Sequence, residues 1–468
     1  MKLYNTMSRK IEDFKAINPP LVTFYSCGPT VYDYTHIGHL RTFMGNDILK
    51  RTLNYLGFKV KHVMNITDVG HLTEDCDAGE DKLEKGAKRT GKTVWEVAKF
   101  YTDFFIKSID NLNITRPNIL AKATDNVEEM IKLIKTLKEK GFTYETDEAI
   151  YFDVLKFKNY GKLSGQSLKE KKQGIRCDVY IDPKKKNPVD FALWFKCKGR
   201  FTDHSMRWPS PWGEGFPGWH IECSAIAMKY LGEALDIHSG GVDHIPVHHE
   251  NEIAQSEAAT DKKFVNYWIH FNFLLVDGKK MSKSLGNFYT IDDIKKKGFN
   301  PLSLKLLFLQ THYKQEMNFT WESLTAANEA YKKLVEVTLS LQNGNNNIKE
   351  TEELKNYRQK FITAISNDLQ IPQAIALMWE MLKSNLFETD KYNLLMEFDQ
   401  IFGLGLDNLE TISVPKEITD LANKREYARK IKDFKNADQI RKEIEKKGYT
   451  VEDKNGKFEI KKINHILL

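Results

Sequence analysis

The stretch from Leu21 to Asn65 limits the fold more than any other part of the chain. Leu21-Val22-Thr23-Phe24-Tyr25-Ser26 is a short apolar run of strand-forming residues, closed by Gly28-Pro29. Leu40, Phe43, Met44, Ile48, Leu49, Leu53 and Leu56 then recur at helical spacing, with Gly57 as the stop. Val60–Ile66 returns to strand character. Strand, helix and strand in so few residues form a βαβ unit, which predicts a parallel sheet. The pattern returns later: Ile221–Leu231 reads as a helix ended by Gly232, and Ala234–His238 as a strand entering Ser239-Gly240-Gly241. His248–Ala259 reads as the next helix.

A Lys-rich stretch, roughly Asn118–Arg207, separates the two halves and reads as an insertion into the sheet domain. Its strand-like piece is Ala149–Val154. From about Asn300 the pattern is helical. Asn343-Gly344-Asn345-Asn346-Asn347 is a break, followed by amphipathic helices such as Glu352–Ile365 and Pro372–Leu382. Pro415–Lys447 is a strongly charged helical stretch, and Tyr449–Lys462 alternates like a hairpin around Asn455-Gly456.

The 468 residues allow two to four domains at roughly 100–200 residues each. No apolar run approaches the roughly 20 residues that span a bilayer, and Met1-Lys2-Leu3-Tyr4-Asn5 lacks the apolar core of an export signal. A cytoplasmic protein is expected. The five cysteines, Cys27, Cys76, Cys177, Cys197 and Cys223, are too scattered for a disulfide framework. They leave metal binding, catalysis or plain burial. The net charge of +6 is mild, but residues 415–468 hold 15 Lys/Arg against 10 Asp/Glu. Such a basic tail suits a polyanion such as RNA, or simply a solvated helical surface.

His36-Ile37-Gly38-His39 lies between the first strand and its helix, where a parallel sheet presents ligands and a helix N-terminus attracts phosphate. Two imidazoles three residues apart can donate to a phosphate whose charge is being redistributed. Far downstream, Lys280-Met281-Ser282-Lys283-Ser284 forms a lysine-rich loop bounded by Gly278 and Gly286, suited to neutralising a phosphate leaving group. Each motif alone also fits an ordinary surface segment. Cys27, directly after the first strand, Cys223, and the pair His248 and Glu252 on one helix face are types that grip a metal. Each cysteine equally fits a small buried side chain. His249-Glu250 is a rival pair, expected to converge less easily with Cys27 because it lies on neighbouring helix faces.

The early His36–His39 tetrapeptide and the late Lys280–Ser284 pentapeptide, in this order, resemble the two signatures of class I aminoacyl-tRNA synthetases. Three further segments narrow the resemblance to the cysteinyl-tRNA synthetase family. They are Cys27-Gly28-Pro29-Thr30-Val31-Tyr32-Asp33, Pro217-Gly218-Trp219-His220-Ile221-Glu222-Cys223-Ser224, and His248-His249-Glu250-Asn251-Glu252-Ile253-Ala254-Gln255. The implied fold is α/β: a class I synthetase Rossmann-like parallel sheet with an inserted connective subdomain, followed by an α-helical anticodon-binding region. The implied divisions are 1–117 and 208–276 for the two halves of the catalytic domain and 118–207 for the connective insertion. The pentapeptide loop and stem-contact region follow at 277–342, the anticodon-binding bundle at 343–414 and a basic RNA-binding region at 415–468.

The implied activity is ATP-dependent formation of cysteinyl-adenylate and transfer of cysteine to the 3′ end of tRNA(Cys). By resemblance, His36, His39, Lys280 and Lys283 are catalytic. ATP is bound by His36, His39, Gly240, Gly241, Asp243 and Lys283, and brings Mg²⁺ on its phosphates. Cys27, Cys223, His248 and Glu252 hold one Zn²⁺, and Thr67 and Trp219 line the cysteine pocket. Zinc prefers thiolate to hydroxyl, which would separate cysteine from serine without editing. The partners are L-cysteine, ATP and tRNA(Cys), with no membrane, and the chain is expected as a monomer. Two residues depart from the family pattern: Phe216 replaces an arginine before Pro-Gly-Trp, and His244-Ile245-Pro246-Val247 replaces an apolar-Phe-Pro run. A ligase passing cysteine to a small amine would share the metal and adenylate site. A silent RNA-binding relative would need neither signature.

Overall fold

The computed structural model describes residues 1–70, 72–74, 78–167, 170, 182–342, 351–409, 415–454 and 457–462. The expected break at Asn343–Asn347, the turn at Asn455-Gly456, and Cys76 and Cys177 lie outside the described residues.

Five strands build the central sheet: β1 (Leu21–Ser26), β2 (Lys59–Ile66), β3 (Ile119–Lys122), β4 (Leu235–Gly241) and β5 (Val265–Phe271). They lie in the order β5-β4-β1-β2-β3, and every pairing is parallel. The order reverses beside β1, so the carboxyl ends of β1 and β4 open a crevice where ligands bind in sheets of this kind. Helix α1 (Ile37–Tyr55) crosses from β1 to β2, burying Leu40, Phe43, Ile48, Leu49 and Leu53 as the spacing predicts. Buried Arg41 ties the start of α1 to the end of β5 by donating to the carbonyls of Asn272 and Phe273 at 2.7 and 2.8 Å. Helices α2 (Trp219–Leu231) and α3 (His248–Thr260) flank β4 in the second half.

The inserted unit carries a four-stranded antiparallel sheet of Thr143–Glu145, Ala149–Phe152, Phe191–Lys196 and Gly215–Pro217. Two elements fall across the expected divisions. Strand β3, inside the expected 118–207 insertion, is the edge strand of the central sheet, while Gly215–Pro217, inside the expected 208–276 half, pairs with the inserted sheet. Both strands are only three or four residues long, too short to carry a legible pattern of their own.

After the central sheet come the helices Pro301–Leu309, Trp321–Leu341, Glu352–Ser366, Ile371–Lys383 and Glu388–Phe402. They share one core with the α1 side of the sheet, with Phe361 and Phe398 stacked at 3.9 Å. Lys305 and Asp47, both fully buried, pair at 3.1 Å and join this bundle to α1. The charged stretch predicted at Pro415–Lys447 is two helices, Lys416–Lys430 and Phe434–Lys446, broken where Lys432 turns to φ +62°. With the hairpin Tyr449–Lys454/Lys457–Lys462 they form a small unit with its own core of Ile418, Ala422, Ile444, Tyr449 and Val451.

Candidate active site

The crevice between β1 and β4 holds a buried polar pocket. Cys27 follows β1, Cys223 faces it from α2, and His248 and Glu252 come from the first turns of α3; all four are buried. Their ligand atoms all lie within 4.8 Å of one another. The Cys27 Sγ and Glu252 Oε1 are 4.0 Å apart, and the His248 Nε2 and Glu252 Oε1 are 3.0 Å apart. Chain segments far apart in sequence meet here because the strand order folds both halves back on the same crevice.

A second set overlaps the first: Cys27, His238, His249 and Glu252 also lie within 4.8 Å of one another. His249 Nε2 is 3.2 Å from Cys27 Sγ, and its Nδ1 is 2.8 Å from His270 Nε2. His238 Nε2 is 2.8 Å from the second oxygen of Glu252. Of the rival pair His249-Glu250, expected to converge less easily on Cys27, the His249 half is therefore corrected, while Glu250 turns away to accept the Gly161 and Ser164 amides at 2.8 and 3.0 Å. Adjacent helical residues point about 100° apart, and the Cys27 sulfur is within reach of both His248 and His249.

The electrostatics are those of a cation site. Burial drives the Cys27 thiol well above its ordinary pKa, and its hydrogen bond to Cys223 adds to this. Burial works against a charge on Cys223 too, but the bond from Cys27 and neighbouring His248 outweigh it and lower that thiol. Desolvation likewise opposes the His248 charge, yet Glu252 and Cys223 raise it to about 10. Glu252 is held below the usual carboxylate range, against burial, by His238 and His248. A thiolate and a carboxylate are thus enclosed beside the His248 imidazolium, an arrangement that a divalent cation would complete by replacing protons. Bond lengths of about 2.0–2.3 Å suit ligand atoms this close, and two sulfurs, one nitrogen and one oxygen are a borderline-soft donor set. The residues form a possible metal-binding Cys/His/Glu group.

Thr67 and Trp219 border this pocket. Thr67 donates to Glu222 Oε2 at 2.8 Å and accepts from Asn65 at 3.0 Å, and Asn65 also holds the Gly28 amide at 2.8 Å. A Cβ on Gly28 would lie 1.7 Å from the Asn65 carbonyl oxygen, so the turn after Cys27 requires glycine. The Trp219 ring stacks on His248 with centroids 4.4 Å apart. Gly240 lies against His244 and His249, where a Cβ would sit 2.8 Å from each ring.

The His36–His39 and Lys280–Ser284 segments meet at the other end of the crevice. His36 caps α1 by accepting the Gly38 and His39 amides on Nδ1 at 3.1 and 3.2 Å, which leaves its proton on Nε2. Its ring stacks on His39 at 3.6 Å. Burial first, then the neighbouring ring, pushes the pKa of His36 down to about 2. Burial brings His39 to about 4, with Asp243 and Asp33 opposing. Both rings are therefore neutral near pH 7, each with one N–H to donate. Met281 of the lysine-rich loop reaches 3.4 Å from where a Cβ on Gly38 would stand. Lys283 pairs with Asp33 and sits 5.2 Å from the Phe288 ring centroid. Lys280 is exposed on the short strand Lys279–Lys280, its carbonyl accepting from Asn287 at 3.2 Å.

Comparison with known proteins decides the family. Residues 13–329 match the family model for the tRNA synthetases class I (C) catalytic domain. The chain is 43% identical to the cysteine-tRNA ligase of Treponema denticola, covering 99% of this chain and all of the relative. It is 42% identical to cysteine-tRNA ligase 1 of Burkholderia lata, over 97% of this chain and 95% of that one. The chain belongs to the cysteine-tRNA ligase family. In fold, this family member is similar to the methionyl-tRNA synthetase of Mycobacterium tuberculosis with methionyl-adenylate. The TM-score is 0.55 at 14% identity, covering 82% of this chain and 88% of that one. It is also similar to the LeuRS of Agrobacterium radiobacter in a ternary complex with tRNA and LeuAMS. There the TM-score is 0.60 at 12% identity, with 84% of each chain covered. The class I synthetase α/β fold expected from the motifs is the fold observed.

Sequence reasoning passed over His238, His270, Glu222 and Asp33. His238 and His270 sit on strands whose residues are nearly all buried, so polar positions there were the available signal. Glu222, next to Cys223, is a buried carboxyl raised well above its usual pKa by burial and then by Cys223, and its Oε1 has no hydrogen-bond partner among the described residues.

Proposed function

We propose that the chain activates L-cysteine with ATP, releases pyrophosphate, and transfers cysteine from the adenylate to the 3′ end of tRNA(Cys). One observation carries this reading: a buried Cys/His/Glu group and both class I signatures open on one crevice at the switch point of the sheet. The family membership supports it over the full length of the chain. Among the described residues no helix is long and apolar enough to cross a membrane. The chain is read as a cytoplasmic monomer, as the family resemblance implies.

In this reading Cys27, Cys223, His248 and Glu252 hold zinc, with His249 as the nearest alternative to a ligand. Zinc held there would supply a borderline-soft Lewis acid that prefers thiolate to hydroxyl, and so would separate cysteine from serine. Thr67 and Trp219 border the side chain of the amino acid. Gly240 and Gly241 let the nucleotide approach the backbone, and the Asp243 carboxylate accepts from ribose hydroxyls. The cysteine carboxylate attacks the α-phosphorus of ATP, which breaks its bond to the bridging oxygen and releases pyrophosphate. Neutral His36 and His39 donate N–H groups to the oxygens where charge builds, and Lys283, assisted by Lys280, neutralises the leaving pyrophosphate. Mg²⁺ arrives on the ATP phosphates. A ribose hydroxyl at the tRNA 3′ end, 2′ by class resemblance, then attacks the adenylate carbonyl and displaces AMP.

The test joins metal analysis of the purified protein to exchange of labelled pyrophosphate into ATP. One zinc per chain is expected, with exchange driven by cysteine and lower with serine by roughly 10⁴-fold or more. Equal exchange with the two amino acids ends the reading.

A further inference from the structure

Beside the crevice lies a surface that the activation chemistry does not use. Helix Val94–Asn111 buries Val94, Val97, Ala98, Tyr101, Phe105 and Ile109 on one face, as an amphipathic helix should. Yet it also turns Trp95 and Phe100 outward, 51% and 43% exposed, and Tyr34 beside them is 38% exposed. Tyr34 meets Phe100 edge-to-face at 6.0 Å and Phe104 at 4.8 Å. The Lys92 ammonium sits 4.8 Å from the Phe100 ring centroid. Arg89 donates to the Tyr101 hydroxyl at 3.3 Å and faces Asp33 at 3.8 Å.

The adjoining segment is strongly basic. Residues 82–92 hold Lys82, Lys85, Lys88, Arg89 and Lys92 against Glu84 alone, five positive charges less one negative, or +4. Exposed aromatic faces between lysines and an arginine are the chemistry of single-stranded nucleic acid binding, in which bases stack on rings and the backbone follows the positive charge. Position supplies the second argument. Tyr34 stands two residues before His36, and Asp33 links Arg89 on this surface to Lys283 in the phosphate loop. The surface therefore runs straight into the crevice where the adenylate forms.

We infer that Tyr34, Phe100 and Lys92 form a stacking platform for the unpaired 3′ end of the tRNA, delivering its terminal ribose to the adenylate. This rests on the proposed function above. A protein partner would not require the positive run, and a folded RNA duplex offers no free base to stack.

Aminoacylation of purified tRNA(Cys) and cysteine-dependent pyrophosphate exchange, which needs no tRNA, are measured on Phe100→Ala, Phe100→Leu, Phe100→Trp and Lys92→Ala. Phe100→Ala and Phe100→Leu are expected to raise the KM for tRNA by about tenfold with exchange unchanged, and Phe100→Trp to restore it. Lys92→Ala should raise the same KM and reduce the salt dependence by about one phosphate contact. An unchanged KM for tRNA in Phe100→Ala overturns the platform, and so does a parallel fall in exchange, which would mark Phe100 as structural. Absence of exchange in the unaltered protein would instead remove the functional reading itself.

Discussion

The Cys27–Cys223–His248–Glu252 pocket and the Lys280–Ser284 loop sit at opposite ends of one crevice and are built differently. Glu252 is fully buried, while Leu285 next to the loop is 58% exposed. The pocket is set on strand ends and helices, and its glycine has no spare room, since a Cβ on Gly28 meets a backbone oxygen at 1.7 Å. In the loop, a Cβ on Gly278 or Gly286 meets nothing within 4 Å. Ser282 is held there by contacts within the loop itself: Asn287 accepts its amide at 2.8 Å, and its hydroxyl meets Ser284 at 3.0 Å and accepts the Leu285 amide at 3.3 Å. Recognition of a side chain gains from donors fixed in advance. On the proposed function the loop lysines would follow departing phosphates and would have to be free to move, which their exposure allows.

If the contrast is right, the pocket should tolerate change least. Cys223→Ser is expected to lower bound zinc below one per chain and cysteine-dependent exchange on the order of 1,000-fold. That is an order beyond the loss from removing a group that only orients a metal ligand. ATP affinity, measured by equilibrium binding, should hardly change. Equal losses of exchange and ATP binding would show that the pocket merely supports the fold.

The pocket and the loop also differed in how far their sequence could be read. Leu21–Ser26 and the helix after His36 were plain in the pattern because a buried parallel strand and an amphipathic helix each leave a periodic trace. Cys27, Cys223, His248 and Glu252 were found through motif resemblance, and spacing supported only the last two, which share a helix face. His249 was set aside because a helical wheel treats the partner as lying along one radial direction. Here the partner is a sulfur at the end of a strand, and it reaches two adjacent residues. The aromatic platform escaped notice as well, because Phe100 and Tyr34 are ordinary core residues until their exposure is known. Strands β3 and Gly215–Pro217 were misdivided for another reason: pairing is a property of two distant segments, and neither is long enough to announce its partner.

Lys283→Ala tests the loop. Exchange should fall about 100-fold through kcat, with KM for cysteine and zinc content unchanged, as expected when a group acts on charge that develops only in the transition state. Lys283 is half exposed and its ion pair with Asp33 is a surface contact. Thermal stability should therefore stay where it is. A loss of zinc in this variant would mean that the two ends of the crevice are coupled, and the contrast drawn above would fail.

The smallest effect is expected at Gly286→Ala. Its backbone stands at φ +66°, where an L side chain is strained, but no atom lies within 4 Å of the new Cβ. The cost is then backbone strain alone, about 1 kcal/mol, read as a small shift in melting temperature. Because the strain would be present with and without substrate, it should cancel between ground and transition states and leave kcat within about threefold. A much larger fall in kcat at unchanged stability would show that the loop must hold one conformation during turnover. In that case the exposed lysines would be as preorganised as the buried donors, and exposure would not distinguish the two ends of the crevice.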